Sequence, residues 1–210
     1  MTDIADTSVA GLNVSRETLE ALHSFEALVR RWTPAINLVS KSTLDDLWTR
    51  HIVDSAQAFS FGPSMAKSWV DLGSGGGFPG LVVAILAREL QPDLQVTLVE
   101  SDLRKATFLR QASQTLKLEV QVRSERIESI APLAADVLSA RALAPLPELL
   151  AHAQKHLGGR GVAIFLNGAR FAAEIADARK AWAFDVDTQP SLSDADAAIL
   201  VIRNIHRAEK

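Results

Sequence analysis

The 210-residue chain contains no cysteine and no tyrosine. The first absence excludes disulfides, thiolate chemistry and Cys-type zinc sites, and no metal is expected. The second removes a tyrosine proton donor of the kind an NAD(P)-dependent oxidoreductase would want. No run of about 18 apolar residues occurs, so no membrane-spanning helix and no membrane partner are expected. The opening MTDIADTSVAGLNV is acidic and lacks a basic flank with an apolar core, so it does not read as a secretory leader. A cytoplasmic location fits. The chain also lacks an excess of positive charge: 22 Lys and Arg face 25 Asp and Glu, a net charge of -3. That argues against a broad, non-specific nucleic-acid surface, while a local basic patch remains compatible with it.

What is present reads as one α/β core with a helical appendage. Residues 1–14 read as a flexible lead. Ser15 caps a first helix with Glu17 in its first turn, and Leu22, Phe25, Val29 and Trp32 recur at helical spacing. Pro34 interrupts that pattern. Thr43 and Asp46 resemble a capping box, followed by an apolar stripe from Leu44 to Phe59. The expected division is a helical extension, 1–62, and a core, 63–210, forming one compact unit. From Trp69 short apolar strands (68–72, 95–100, 119–123, 136–140, 161–166 and 197–204) alternate with helical stretches (80–90, 102–117, 147–157 and 170–181). That pattern predicts a mostly parallel sheet covered on both faces. Gly158 and Gly159 are expected to end a helix.

The strongest chemical signal is VDLGSGGGFPG, residues 70–80, between a strand and a helix. No Lys-Ser/Thr follows the glycines, which excludes a Walker A loop. Glycines such as Gly73 and Gly75 let backbone approach a ligand closely. Asp71 ends the strand and suits a ligand with an ammonium group. Glu100 ends the second strand, where a carboxylate accepts both hydroxyls of a ribose. The ligand is thus a nucleoside of unspecified kind.

After the third strand, Arg123-Ser124-Glu125-Arg126-Ile127-Glu128 is either one side of an adenine pocket, with Ile127 covering the ring and the backbone near Glu128 reading its edge, or an exposed charged turn. The fourth strand ends on Arg141 within an apolar run. It either binds a ligand or forms an internal ion pair with Asp71 or Asp54.

Taken together, RWTPAINLVS (31–40), RHIVDS (50–55), VDLGSGGGFPG (70–80), ESDLRKATFLRQ (100–111), RSERIE (123–128) and SARALAPL (139–146) resemble, in order and spacing, the RsmG (GidB-type) family of 16S ribosomal RNA guanine-N7 methyltransferases. The resemblance runs from about residue 28 to 205. It implies a class I, Rossmann-like fold with a seven-stranded, mostly parallel sheet, and S-adenosylmethionine as cofactor. It implies methylation of guanine N7 in the 530 loop of 16S ribosomal RNA, at the position conventionally numbered 527. The implied partner is that RNA or the small ribosomal subunit, bound by a monomer. Gly73, Phe78, Glu100, Ile127 and Glu128 would then contact cofactor, Arg141 cofactor or substrate, and Arg50, His51 and Asp54 the catalytic pocket. Arg50 and Asp54 also read as a plain i,i+4 pair, with His51 packing beside Ile52. Arg50, Arg123, Arg170 and Arg203 are the leading RNA contacts, with Lys210 in the wider set. The family usually carries Leu-Lys-Gly after the fifth strand. Here it is Leu166-Asn167-Gly168, so a cation near the RNA is missing and Arg170 is the candidate substitute. A small-molecule methyltransferase and a non-catalytic RNA-binding assembly factor are the alternatives.

Overall fold

A computed structural model describes residues 7–208. Residues 1–6 of the expected lead, and Lys210, lie outside the described residues. The rest of the lead is ordered. β1 (Ser8–Val9) pairs antiparallel with β2 (Leu12–Asn13) around Ala10 and Gly11, both at positive φ. Val9 and Val14 are buried, and this burial gives the short hairpin its anchor.

Helix α1 (Arg16–Ile36) starts where Ser15 accepts the Thr18 amide at 3.2 Å. The Ser15 amide and hydroxyl both donate to the Glu89 carboxylate, at 2.9 and 2.8 Å, tying the helix start to the next layer. Pro34 does not interrupt this helix. It stands in the last turn, just before a left-handed Asn37 cap, where a missing amide removes only one terminal hydrogen bond. Thr43 does not cap a helix either: its hydroxyl is shared with Ser40 and with His51 Nε2 (2.9 Å). The chain then forms a π-helical turn, Trp48–Val53, which runs directly into α2 (Asp54–Ser60). π-turns are rare and concentrate at functional sites.

The core strands are β3 (Ser68–Leu72), β4 (Gln95–Val99), β5 (Val120–Arg123), β6 (Ala135–Arg141), β7 (Leu157–Asn167), β8 (Trp182–Pro190) and β9 (Ala198–Arg207). The intervening helices are α3 (Gly80–Leu90), α4 (Leu103–Thr115), α5 (Leu146–His156) and α6 (Phe171–Ala178). The sheet order is β5-β4-β3-β6-β7-β9-β8, parallel except for β9, which runs against both its neighbours. This is the class I arrangement that the motif order implied. Gly158 and Gly159 lie inside β7 rather than ending α5. β8 was not among the expected strands. It is the sheet's edge, and its exposed Asp185 and Asp187 alternate with the half-buried Phe184 and Val186.

Two apolar cores lie against the sheet. One is shared by α1, α2, α3 and α4, and includes Phe25, Leu47, Ile52, Phe78, Leu81 and Phe108. The other packs α5 and α6 against β6, β7 and β9. The N-terminal helices therefore bury their stripe in the same core as the sheet, with Phe25 against Phe78 and Trp32 against Phe108.

Candidate active site

β3 is flanked by strands reached in opposite directions along the chain, β4 on one side and β6 on the other. In open α/β sheets such a reversal leaves a crevice at the carboxyl ends of the strands. Two clefts open there. The first is bounded by Gly73 and Gly75 after β3, Glu100 after β4, Arg126, Ile127 and Glu128 after β5, and Ala142 and Leu143 after β6. Its volume is about 290 Å³, at the lower end of small-ligand sites. The second is lined by Arg50, Asp54, Arg141, Asn167, Glu174, Ser191 and Asp194. Ala142 borders both, so the segment that leaves β6 is their common wall.

The first cleft offers hydrogen-bond acceptors and an apolar face. Glu100 is nearly buried, and its two oxygens accept the Gly75 amide at 2.9 Å and the Asp102 amide at 2.8 Å. Each carboxylate oxygen retains a further lone pair for a ribose hydroxyl. Ile127 supplies an apolar face opposite. Gly73 sits at φ +64, and a Cβ there would lie 2.6 Å from Leu143 Cδ1. Glu128, Glu148 and His152 are the one metal-ligand-like group among the described residues, with ligand atoms within 4.8 Å of one another; Glu128 and Glu148 are exposed.

Asp71 and Phe78, expected against the cofactor, stand behind this surface. Asp71 is fully buried. It accepts the Ser139 hydroxyl at 2.7 Å and the Gly80 amide at 3.3 Å, and Ser139 in turn accepts Trp69 Nε1 at 2.8 Å. Gly80 leaves it room, since a Cβ there would strike Leu98 and Asp71. Burial pushes the Asp71 carboxyl up to about 6, against the hydrogen bonds from Ser139, Ser74 and Gly80. Phe78 is drawn into the apolar layer, its ring 5.0 Å from both Phe25 and His51. On its other side the Arg141 guanidinium carbon lies 6.0 Å from the ring centre.

The second cleft gathers the charges. Among the described residues Arg141 forms no ion pair with Asp71 or Asp54, and its NH1 is buried without a hydrogen-bond partner. Burial lowers its pKa, and the field of Arg50 adds to this, while Asp54 and Asp71 act in the opposite direction. Arg50 and Asp54 do not pair with each other as an i,i+4 couple. Arg50 reaches Asp194 at 2.9 Å, and Asp54 accepts the Ser191 hydroxyl at 2.7 Å. Asn167 donates to Glu174 at 3.3 Å, and its Oδ1 is buried and unpartnered. Of the other basic candidates, Arg123 ends β5 at the crevice edge and exposed Arg170 precedes α6. Arg203 lies away from both. β9 is antiparallel, so Ala198 stands beside Asn167 at the cleft, whereas Arg203 falls beyond the level of Ala163, toward the opposite end. Sequence reasoning missed the 190–197 loop. Its only signal was Ser191, whose hydroxyl accepts the amides of Ser193 and Asp194 and shapes the turn.

His51 is buried, with its pKa lowered to about 3 by desolvation first and then by Arg141 and Arg50. It is therefore neutral at neutral pH. A histidine whose folded pKa is depressed adds stability above its unfolded value of about 6.5, and that stability is lost as pH falls toward 3. Asp71 works oppositely: its folded pKa is raised, so its contribution is full below about 4 and lost as pH rises through 6. The two offset each other between pH 4 and 6. His51→Gln should remove one side of that balance. Relative to the variant, the parent is expected to lose about 2–3 kcal/mol between pH 7 and pH 4.5, read as converging melting temperatures. Parallel melting curves for the two proteins over this range would contradict the assignment.

The comparisons with known proteins accord with this geometry. The family model described as rRNA small subunit methyltransferase G matches residues 18–200. A protein of Cereibacter sphaeroides named ribosomal RNA small subunit methyltransferase G is 51% identical over 198 residues, covering 94% of this chain and 96% of that protein. One of the same name from Ruegeria pomeroyi is 53% identical over 196 residues, covering 93% and 96%. Among solved structures, mitomycin 7-O-methyltransferase MmcR superposes with a TM-score of 0.59 at 15% identity, covering 92% of this chain and 69% of that one. A SAM-dependent methyltransferase from Aquifex aeolicus gives 0.56 at 12% identity, covering 85% and 97%. These two likenesses establish the fold, and the sequence matches establish more: the chain belongs to the rRNA small subunit methyltransferase G family.

Proposed function

We propose that the chain transfers a methyl group from S-adenosylmethionine to N7 of a guanine in the 530 loop of small-subunit ribosomal RNA, at the position conventionally numbered 527. The substrate is the RNA or the small ribosomal subunit, and the protein works as a monomer in the cytoplasm. The observation that carries this reading is the pair of adjoining clefts with Ala142 as their shared wall and, in the second, Arg141 with its NH1 buried and without a hydrogen-bond partner. The glycine turn, Glu100, Ile127 and Glu128 hold the cofactor in the first cleft. When bound there, S-adenosylmethionine supplies a methyl group on a cationic sulfonium.

Guanine N7 has a free lone pair at neutral pH, so no general base is required. His51 agrees: it is neutral, and its Nε2 is engaged by the Thr43 hydroxyl. Its contribution is to orient, by packing its ring on Phe78. Bringing acceptor and donor into adjoining sites is worth ~7–11 kcal/mol when the alignment is right. Arg141 suits guanine O6 or a flanking phosphate. It does not donate to N7 in the reactive pose, since that would occupy the attacking lone pair. Asp54, fixed by Ser191, supplies negative charge beside the ring that becomes cationic. Arg50, Arg123 and Arg170 flank the clefts as phosphate contacts. With a net charge of -3, recognition rests on the shape of a folded RNA more than on charge alone.

The test is transfer of labelled methyl from S-adenosylmethionine to purified small subunits lacking the modification, followed by nucleoside analysis. Label in 7-methylguanosine is expected, with short unstructured RNA a poor substrate. Binding of S-adenosylmethionine without any label in RNA would remove the ribosomal reading and point to a metabolite acceptor.

A further inference from the structure

Arg50 lines the acceptor cleft, yet its guanidinium is already engaged, donating to Asp194 Oδ2 at 2.9 Å. Asp194 belongs to the loop between β8 and β9, which reaches back to the N-terminal helices. We propose that Asp194 holds on Arg50 the place of an RNA phosphate, so that incoming substrate displaces it and the 190–197 loop acts as a clasp on the acceptor cleft. This rests on the RNA reading above.

Three observations carry the proposal. First, the Arg50–Asp194 pair is partly open to solvent, with 41% and 32% of the two side chains exposed. Such a pair contributes little to stability, and a phosphate can reach it. A guanidinium fork binds carboxylate and phosphate oxygens with the same geometry. Second, the loop does not depend on this contact. Ser191 donates to Asp54 at 2.7 Å, Gln57 donates to the Pro190 carbonyl at 2.8 Å, and the Leu192 amide donates to Gln57 at 3.0 Å. The loop stays anchored when Asp194 lets go. Third, Arg50 and Arg141 share the cleft and repel each other. In the free protein Asp194 and Asp54 offset the two cations; with RNA in place, a phosphate takes over the role of Asp194.

The experiment measures binding of the parent and variants to unmodified small subunits as a function of KCl concentration. In the parent, the phosphate contact frees Asp194, which recaptures a cation and cancels the ion release that contact would give. Asp194→Asn has nothing to recapture. It should bind about fivefold more tightly at physiological salt, and its slope of log affinity against log salt should steepen by about 0.7–0.9, one phosphate contact. Asp196→Asn, an exposed acid two residues on, should change neither quantity. In an Arg50→Gln background, Asp194→Asn should have no effect. Equal tightening with or without Arg50 would mean general charge repulsion and overturn the clasp. So would an Asp194→Asn protein identical to a parent that binds and methylates. A parent that neither binds nor methylates small subunits would instead overturn the RNA reading itself.

Discussion

Replacing Arg141 with alanine is expected to lower methyl transfer by about two to three orders of magnitude while leaving the melting temperature unchanged or raised. The two halves of this result have one cause. Arg141 is half-buried, its NH1 is buried without a partner, and desolvation is the leading influence on its ionisation. A buried charge without a partner destabilises a fold, so removing it relieves the folded state. What Arg141 contributes is realised only when an acceptor presents an oxygen to it. Arg141→Lys is expected to restore little, because a lysine is a point charge without the planar fork. Single-turnover transfer to small subunits and thermal melts on the same samples decide the matter. An activity loss matched by a comparable fall in melting temperature would make Arg141 a structural residue.

Gly73→Val is expected to weaken S-adenosylmethionine binding by about 100-fold, an effect of about 3 kcal/mol. Gly73 sits at φ +64, and a β-branched side chain in that region is strained by roughly 1–2 kcal/mol or more. The added Cβ also falls 2.6 Å from Leu143 Cδ1, with the rest of the valine still to be placed. Leu143 lines the same cleft, so moving aside reshapes the cofactor's own wall. Gly73→Ala meets the same backbone and Leu143 contact without the branch and should fall between. Calorimetric titration with S-adenosylmethionine measures all three proteins. Parent-like affinity in the valine variant would show that the glycine turn is not the cofactor floor.

These two residues also show what the sequence made legible. The glycine turn and the alternation of short strands with helices follow local rules, so the order of core elements and the position of Glu100 could be read directly. Edge strand β8 escaped because its half-exposed pattern carries charge on alternate residues. The hairpin at 8–13 escaped because burial of Val9 and Val14 in a core formed by distant residues holds it. The site residues divide in the same way. Gly73, Glu100, Ile127 and Glu128 share one cleft because each follows the end of a parallel strand, a position the topology dictates. The partners of Arg50 and Asp54 were beyond reach: Asp194 and Ser191 lie 144 and 137 residues away along the chain. No periodicity joins such positions; only the antiparallel return of β9 does. Asp71 is instructive in reverse. Its place beside the glycines suggested a ligand contact, but its side chain turns inward to Ser139 and Gly80.

The core that α1 shares with the sheet has a consequence for synthesis on the ribosome. α1 emerges early, yet the surfaces that cover its stripe come much later: Phe78 and Leu81 at the start of α3, and Phe108 in α4. At roughly 5–20 residues per second, Leu22, Phe25 and Val29 wait several seconds for their partners. Throughout that interval the nascent chain presents an apolar helix face with nothing to cover it. Helix α1, which packs on Phe78 behind the site, is thus open to chaperones while the protein is being made.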